Sequence, residues 1–254
     1  MRTLLILVLA VAMAGCGKPK VDAEFGSKVR AYLLENPEIL VEVSNALQAK
    51  QAAERNKKAA STLRSIRPRL ERDPRDRVLN PNGKITVVEL FDYNCSYCKL
   101  IAPDMMELVR THPQVRFVFK DMVIFGEVSE FSAAAAALAK TPEQYIAIHK
   151  AFMAAKPLNA EVAVRIMTEH GIDPAAARRE QVSTARQAYL RDVHGIANQL
   201  GIDGTPAFIV GDTLIPGADP EALKAAIAAE LRRKPSVSQQ TSAAPAKHSA
   251  ATAG

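Results

Sequence analysis

The 254-residue sequence has no tryptophan, 5% aromatic residues and three cysteines. Three cysteines are too few to staple a small disulfide scaffold, so their positions, Cys16, Cys95 and Cys98, matter more than their number. The shortage of aromatics bears on the charge. The formal net charge is +6, and ten basic against four acidic residues between Lys50 and Arg77 account for all of it. No aromatic side chain interleaves with that run, as a stacking platform for nucleic acid requires, so nucleic acid is not an expected partner. The run reads as a solvated helical face, with attraction to anionic lipid headgroups second. Also missing is any stretch of roughly 20 apolar residues able to span a bilayer. The composition, 48% hydrophobic and 24% charged, excludes a collagen-like or wholly disordered chain. At roughly 100 to 200 residues per domain, the length leaves room for one good-sized domain with appendages.

Arg2 precedes an apolar run from Leu4 to Ala14, followed by Gly15 and Cys16. A basic start and a short apolar stretch make an export signal over residues 1–16. Its end, Met13-Ala14-Gly15-Cys16, resembles a bacterial lipobox, in which the cysteine is lipidated and becomes the mature N-terminus. The other reading is cleavage after Ala12-Met13-Ala14, which leaves Cys16 near the start of a soluble protein. Lipidation of Cys16 would remove an otherwise odd free thiol from an exported chain. Several acyl chains would anchor the protein, each buried methylene contributing about 0.8 kcal/mol. The expected location is the periplasmic side of a bacterial envelope, held by a lipid anchor or free in the periplasm.

Residues 17–77 read as a helical arm and a basic linker. Phe25 to Leu34 forms a short helix, Asn36-Pro37 starts a second, and Leu40, Val43 and Leu47 make its apolar stripe. Such an arm has too little apolar surface to fold alone, so the stripe must bury against the main domain or against copies of itself. The helical pattern continues towards Arg77 with expected breaks at Pro68 and Pro74. In residues 78–128, Ile85 to Phe91 is a buried strand, Cys95 to Arg110 a helix and Val115 to Lys120 a second strand, a parallel βαβ unit. Residues 129–200 form an Ala-rich block of three or more helices. In residues 201–234, Ala207 to Val210 and Thr213 to Ile215 form a hairpin through Gly211-Asp212, and Asp219-Pro220 opens a last helix. The polar, low-complexity residues 235–254 read as a disordered tail.

Cys95-Ser96-Tyr97-Cys98 sits after a buried strand and opens a helix. Unpaired N–H groups and the helix dipole stabilise a thiolate at Cys95, which becomes a nucleophile; Cys98, one turn further in, resolves the mixed disulfide. A zinc half-site would need further ligands, and His112 is alone, fourteen residues beyond Cys98. No metal and no cofactor is expected beyond the redox-active Cys95–Cys98 pair. Glu89 lies in the strand among apolar neighbours, which points to a desolvated carboxyl with a raised pKa. Lys120 is its suggested partner. His149, His170 and His194 read as packing or surface residues.

The run from Val87 through Cys98 to Lys99, with Gly201-Ile202-Asp203-Gly204-Thr205-Pro206-Ala207-Phe208 much later, resembles the DsbA-like thiol-disulfide oxidoreductases. The resemblance implies an α/β, thioredoxin-like fold with an inserted helical domain, here carrying an N-terminal helical arm. It also implies a cis-proline at Pro206 facing the cysteines, with Thr205 holding an extended client segment, and a proton relay at Glu89 serving Cys98. Strongly oxidising members carry a histidine between the cysteines; Ser96-Tyr97 lacks one, which shifts the expectation from oxidase towards isomerase or reductase. Val29 to Glu38 is similar to the N-terminal segment of ScsC-like proteins, the suppressor-of-copper-sensitivity group, some of which trimerise through it and isomerise disulfides. The implied partners are cysteine-containing client proteins, a membrane redox partner that resets the pair, and copies of the chain in a homotrimer. Two alternatives stay open: a monomeric thiol oxidase, and a Cu(I)-binding protein using the same two soft sulfurs.

Overall fold

The computed structural model of the chain describes residues 23–233; the expected export signal, Cys16 and the expected tail over 235–254 lie outside the described residues. The chain divides into two units between Arg55 and Asn56. The first unit holds helix α1 (Ala23–Glu35) and the start of α2 (Glu38–Glu71). Asn36 ends α1 by donating from both its backbone and its side-chain amide to the Tyr32 carbonyl, each at 2.9 Å. Phe25, Tyr32, Leu34, Leu40, Val43 and Leu47 are exposed. These include the whole expected stripe.

The second unit is built on a five-stranded sheet of order β1-β3-β2-β4-β5, from β1 (Arg77–Leu79), β2 (Ile85–Phe91), β3 (Val115–Asp121), β4 (Ala207–Val210) and β5 (Thr213–Pro216). β2 and β3 run parallel, joined by helix α3 (Ser96–Thr111), and the other pairings are antiparallel. Between β3 and β4 lie five helices: α4 (Glu127–Ala137), α5 (Pro142–Ala154), α6 (Ala160–Glu169), α7 (Pro174–Gln181) and α8 (Thr184–Leu200). Thr141, Asn159, Asp173 and Ser183 start four of them with a side-chain oxygen that accepts from a first-turn N–H. Helix α9 (Pro220–Arg232) closes the unit. This is the thioredoxin-like arrangement with a helical insertion that the resemblance implies.

Alternation along the strands divides the interior in two. Val87 and Phe91 of β2, Phe117 and Phe119 of β3, and Phe208 and Val210 of β4 point into a core shared with α3, α5, α6 and α9. Val88 and Leu90, Val118 and Ile209 point the other way, against Leu63, Ile66 and Leu70 of α2 and Tyr189, Val193 and Ile196 of α8. The end of α2 is therefore part of this core and not a linker. Pro68 does not break the helix, contrary to the expectation from its ring: α2 runs through it to Glu71. A proline inside a helix costs about 3 kcal/mol. Three buried apolar residues offset that, since each is worth about 1.5–3 kcal/mol. Arg67 also ties this segment to the β4–β5 turn, donating to Asp212 Oδ1 at 2.5 Å and to the Gly211 carbonyl at 3.2 Å.

The same alternation corrects the pairing of Lys120. In the parallel register Lys120 stands beside Leu90, while Glu89 stands beside Phe119. The two side chains leave opposite faces of the sheet. Lys120 is buried on the α8 side, where its Nζ donates to Asp76 at 2.7 and 2.9 Å and to the Arg69 carbonyl at 3.2 Å, and Tyr189 donates to the same Asp76 at 3.1 Å.

Candidate functional site

β2 ends at Phe91, and the chain turns through Asp92, Tyr93 and Asn94 to reach Cys95. Asp92 organises this turn. One carboxylate oxygen accepts from the Asn94 N–H at 2.7 Å and the Ser129 hydroxyl at 2.6 Å; the other accepts from the Ile124 and Phe125 N–H groups at 2.8 and 3.0 Å. Four donors on one buried carboxylate fix the cysteine loop, the segment after β3 and the first turn of α4 to each other. The sequence reading passed over Asp92. The available signal was an Asp two residues before an Asn at a strand end, the pattern of a side chain that bonds its own backbone two residues on.

Cys95 is the N-cap of α3, with extended backbone at φ −71° and ψ 120°, and its Sγ accepts from the Cys98 N–H at 3.4 Å. Both cysteines are free thiols and buried. Their environments are opposite. Hydrogen bonding from the Cys98 thiol, then from Thr205 and the first-turn backbone, outweighs burial and lowers Cys95 from an ordinary 9.0 to about 6. Cys98, fully buried, is held far above the usual thiol range, first by desolvation and then by its bond to Cys95. Ser96 and Tyr97 between them are exposed. No cation figures among the main causes of the Cys95 shift.

The loop before β4 brings Thr205 and Pro206 to the nucleophile. The Thr205–Pro206 peptide is cis, and the Cys95 thiol donates to the Thr205 carbonyl at 3.1 Å. The Thr205 hydroxyl is buried without a partner, free to donate once Cys95 ionises. Glu89 enters from beneath, on the face of β2 that carries the cysteine core. It is 2% exposed, its Oε2 has no hydrogen-bond partner, and desolvation, with the Cys95 charge second, raises it from 4.5 to about 8. At neutral pH it holds a proton.

The floor of the site is aromatic. Phe91, Tyr93, Phe119 and Tyr145 surround His149, whose Nδ1 lies 3.1 Å from the Tyr93 hydroxyl, and Phe152 packs edge-on against Tyr93. Burial lowers His149 to about 3, so it stays neutral and packs. His194 Nε2 lies 2.9 Å from the Val123 carbonyl, and His170 ends α6. Around the cysteines Tyr97, Leu100, Ile124 and Phe125 are exposed apolar residues on segments fixed by α3 and Asp92. Among the described residues no three His, Cys, Asp or Glu side chains group as a metal site, and no helix is long and apolar enough to cross a membrane.

Comparison with known proteins gives two family matches: the copper resistance protein ScsC N-terminal domain over residues 22–54, and a thioredoxin family over residues 75–229. A thioredoxin-like oxidoreductase from Silicibacter pomeroyi DSS-3 is 36% identical, covering 66% of this chain and 99% of its own, with a TM-score of 0.61. Proteus mirabilis ScsC in a transitional conformation is 29% identical over 83% of this chain and 99% of its own, with a TM-score of 0.61. A periplasmic thioredoxin-like protein from Salmonella enterica serovar Typhimurium is 28% identical over 66% of this chain and 97% of its own, with a TM-score of 0.60. No curated protein matches the chain.

Proposed function

Since the chain belongs to the thioredoxin family, within its DsbA-like and ScsC-like group, we propose that it is a protein thiol-disulfide oxidoreductase acting through Cys95 and Cys98, an isomerase or reductase rather than an oxidase. The observation that carries this reading is the split between the two thiols, one at about 6 and the other far above the ordinary range. At neutral pH Cys95 is a thiolate and Cys98 a thiol. The Cys95 thiolate attacks one sulfur of a client disulfide; that S–S bond breaks, a Cys95–client disulfide forms, and the other client sulfur leaves as a thiolate that takes up a proton. Two fates follow. In isomerisation a second client thiolate attacks the mixed disulfide and regenerates the Cys95 thiolate, so no electrons leave the client. In reduction Cys98 loses its proton and attacks Cys95 Sγ; the client thiolate is expelled and the enzyme disulfide forms, two electrons having passed to the client.

Glu89 is the group positioned to serve Cys98. A carboxyl near 8 is close to neutral pH, where proton exchange with a buried thiol is best matched. The cis Thr205–Pro206 segment, whose carbonyl already meets Cys95, is the place where a client strand lies next to the nucleophile. The direction of traffic follows from the thiolate. DsbA holds its nucleophile at about 3.5 and thioredoxin at about 7. A Cys95 near 6, supported by hydrogen bonds and no imidazole, lies nearer the second. The reduced form is less stabilised than in a strong oxidant, so the enzyme disulfide forms more readily.

The arm and the envelope complete the proposal. The exposed apolar residues of α1 and early α2, and the ScsC N-terminal match over residues 22–54, support assembly of a homotrimer through this unit. Three nucleophiles around one client raise the effective concentration of Cys95. A relative described as periplasmic, with the export signal over residues 1–16, supports a periplasmic location; Cys16 supplies the lipid anchor, and a membrane redox partner resets the Cys95–Cys98 pair. Cu(I) on the two sulfurs is disfavoured, because the metal must displace a tightly held proton from Cys98.

The test is reactivation of scrambled ribonuclease beside oxidation of reduced ribonuclease, with sedimentation of the same samples. The wild-type chain is expected to sediment as a trimer and to reactivate the scrambled form. Leu40→Glu with Leu47→Glu is expected to give a monomer that loses most of that activity. Rapid oxidation of reduced ribonuclease without reactivation by either protein would establish an oxidase instead.

A further inference from the structure

Beside Cys95 runs a half-open groove of about 450 Å³, lined by Asn94, Ser96, Lys99, Lys156, Pro157 and Leu158. Asn94 and Ser96 flank the nucleophile in sequence, so the groove opens next to the Cys95 loop. Its charged lining is of one sign. Lys99 Nζ donates to the Ala155 carbonyl at the end of α5, which holds the ammonium at the wall, and Lys156 follows one residue later. No carboxylate lines the groove, and neither lysine has an ion-pair partner among the described residues. Asp92, the acid that most favours the Lys99 charge, already accepts four hydrogen bonds. Burial and then the Lys156 charge lower Lys99 from its ordinary range, and the Asp92 charge only partly opposes them.

Two ammonium groups lining a groove next to the cysteine loop fit an anion that itself carries sulfur. Ligand sites for small molecules have volumes of about 300–1,000 Å³, and this groove falls among them. We propose that the groove is a carboxylate subsite that makes a small, carboxylate-bearing thiol peptide of the glutathione class, in its disulfide form, a preferred reactant of Cys95. The inference rests on the exchange chemistry proposed above and adds to it a co-reactant. The Cys95 thiolate attacks one sulfur of the small disulfide; a mixed disulfide forms at Cys95 and one small thiolate leaves and is protonated. Cys98 then gives up its proton and attacks Cys95 Sγ, and the second small thiolate leaves. The enzyme pair is oxidised by two electrons and the small disulfide is reduced to two thiols.

The experiment is quenched-flow alkylation of the reduced full-length protein, counting free thiols by mass spectrometry after mixing with oxidised glutathione, neutral hydroxyethyl disulfide or cationic cystamine. Each rate is divided by that of a small free thiol with the same disulfide, so that intrinsic reactivity cancels. The expected order is glutathione above hydroxyethyl disulfide above cystamine. An exposed charge pair is worth up to about 1 kcal/mol, so Lys156→Gln is expected to lower the glutathione preference by about fivefold. Lys156→Arg is expected to keep it, and Lys140→Gln, the same charge change outside the groove, to leave it unchanged. Equal normalised rates for all three disulfides, or the same loss from Lys140→Gln, would overturn the groove while leaving exchange at Cys95 intact. Failure of every disulfide to react would overturn both readings. A parallel pair of peptide disulfides, with Asp or Asn next to the cysteine, separates the two sources of a carboxylate: a preference seen with Asp peptides and absent with glutathione would overturn the small-molecule assignment.

Discussion

Replacing Glu89 by Gln is expected to make the protein more stable as the pH rises and slower at its task. The carboxyl is sealed in the core with one oxygen unpartnered, and its pKa moves from 4.5 in the unfolded chain to about 8 in the fold. A raised acid pKa means that the folded state binds the proton more tightly. Below about 4.5 both states are protonated and nothing is lost. Between 4.5 and 8 the unfolded chain ionises while the folded one does not, so folding stability falls by about 1.4 kcal/mol per pH unit. From pH 5 to pH 7.5 that amounts to about 3 kcal/mol. Gln cannot ionise, so the difference in unfolding free energy between Glu89→Gln and wild type should shift by about 3 kcal/mol in favour of the variant over that interval. A buried amide proton left without a partner costs about 1–3 kcal/mol at every pH, which offsets the whole curve but not its slope. The assay is urea unfolding of both reduced proteins, followed by circular dichroism at half-unit steps of pH. A difference that stays within about 0.5 kcal/mol from pH 5 to pH 7.5 would refute the desolvation argument. In the same variant the Cys98-dependent release of a mixed disulfide should slow and lose its inflection near pH 8.

Alkylation of Cys95 by iodoacetamide should follow a single ionisation with a midpoint at about 6, whereas Cys98 in a Cys95→Ser protein should stay unreactive through pH 9. Thr205→Val removes a hydroxyl able to donate to the thiolate and should move the Cys95 midpoint upwards; an unchanged midpoint would remove Thr205 from the thiolate's support. Lys120→Met leaves Asp76 buried without its cation and should cost about 3 kcal/mol or more by urea unfolding, while Lys120→Met with Asp76→Asn should recover much of that loss. Asp92→Ala should weaken the cysteine loop without altering the sheet, measured as faster amide exchange at Asn94, Ile124 and Phe125.

Much of this was legible in the chain. Ile85 to Phe91 is apolar at nearly every position and is the central strand of the sheet; Asn36-Pro37 and Gly211-Asp212 mark a helix break and a hairpin turn by their own backbone preferences. Local chemistry decides such features, and local chemistry is what a sequence displays. The placement of Cys95 at a helix start belongs with them. What escaped depended on partners distant in sequence. Pro68 sits inside α2 because Leu63, Ile66 and Leu70 are buried against a sheet that forms later in the chain. Asp92 reaches Ile124, Phe125 and Ser129, some thirty residues on, and no spacing rule connects them. Lys120 was assigned to the wrong acid although the information was present: pairing Val88 with Val118 in a parallel register puts Leu90 beside Lys120, and parity then sends Glu89 to the other side.

The two faces of the sheet divide the ionisable groups by task. On one lie Glu89, Cys95 and Cys98, whose shifts arise from burial, from each other and from hydrogen bonds with Thr205 and nearby backbone. On the other, Lys120, Asp76 and Tyr189 form a fixed electrostatic clasp, and the shift of Asp76 is set by burial, Lys120, Asp73 and Tyr189. Neither group figures among the main influences on the other. The sheet thus works as a partition: reduction and oxidation change the charge on one side, while the Lys120–Asp76 clasp that holds the chain lies on the other. A lineage could retune the redox chemistry by substitutions near the cysteines without renegotiating its fold.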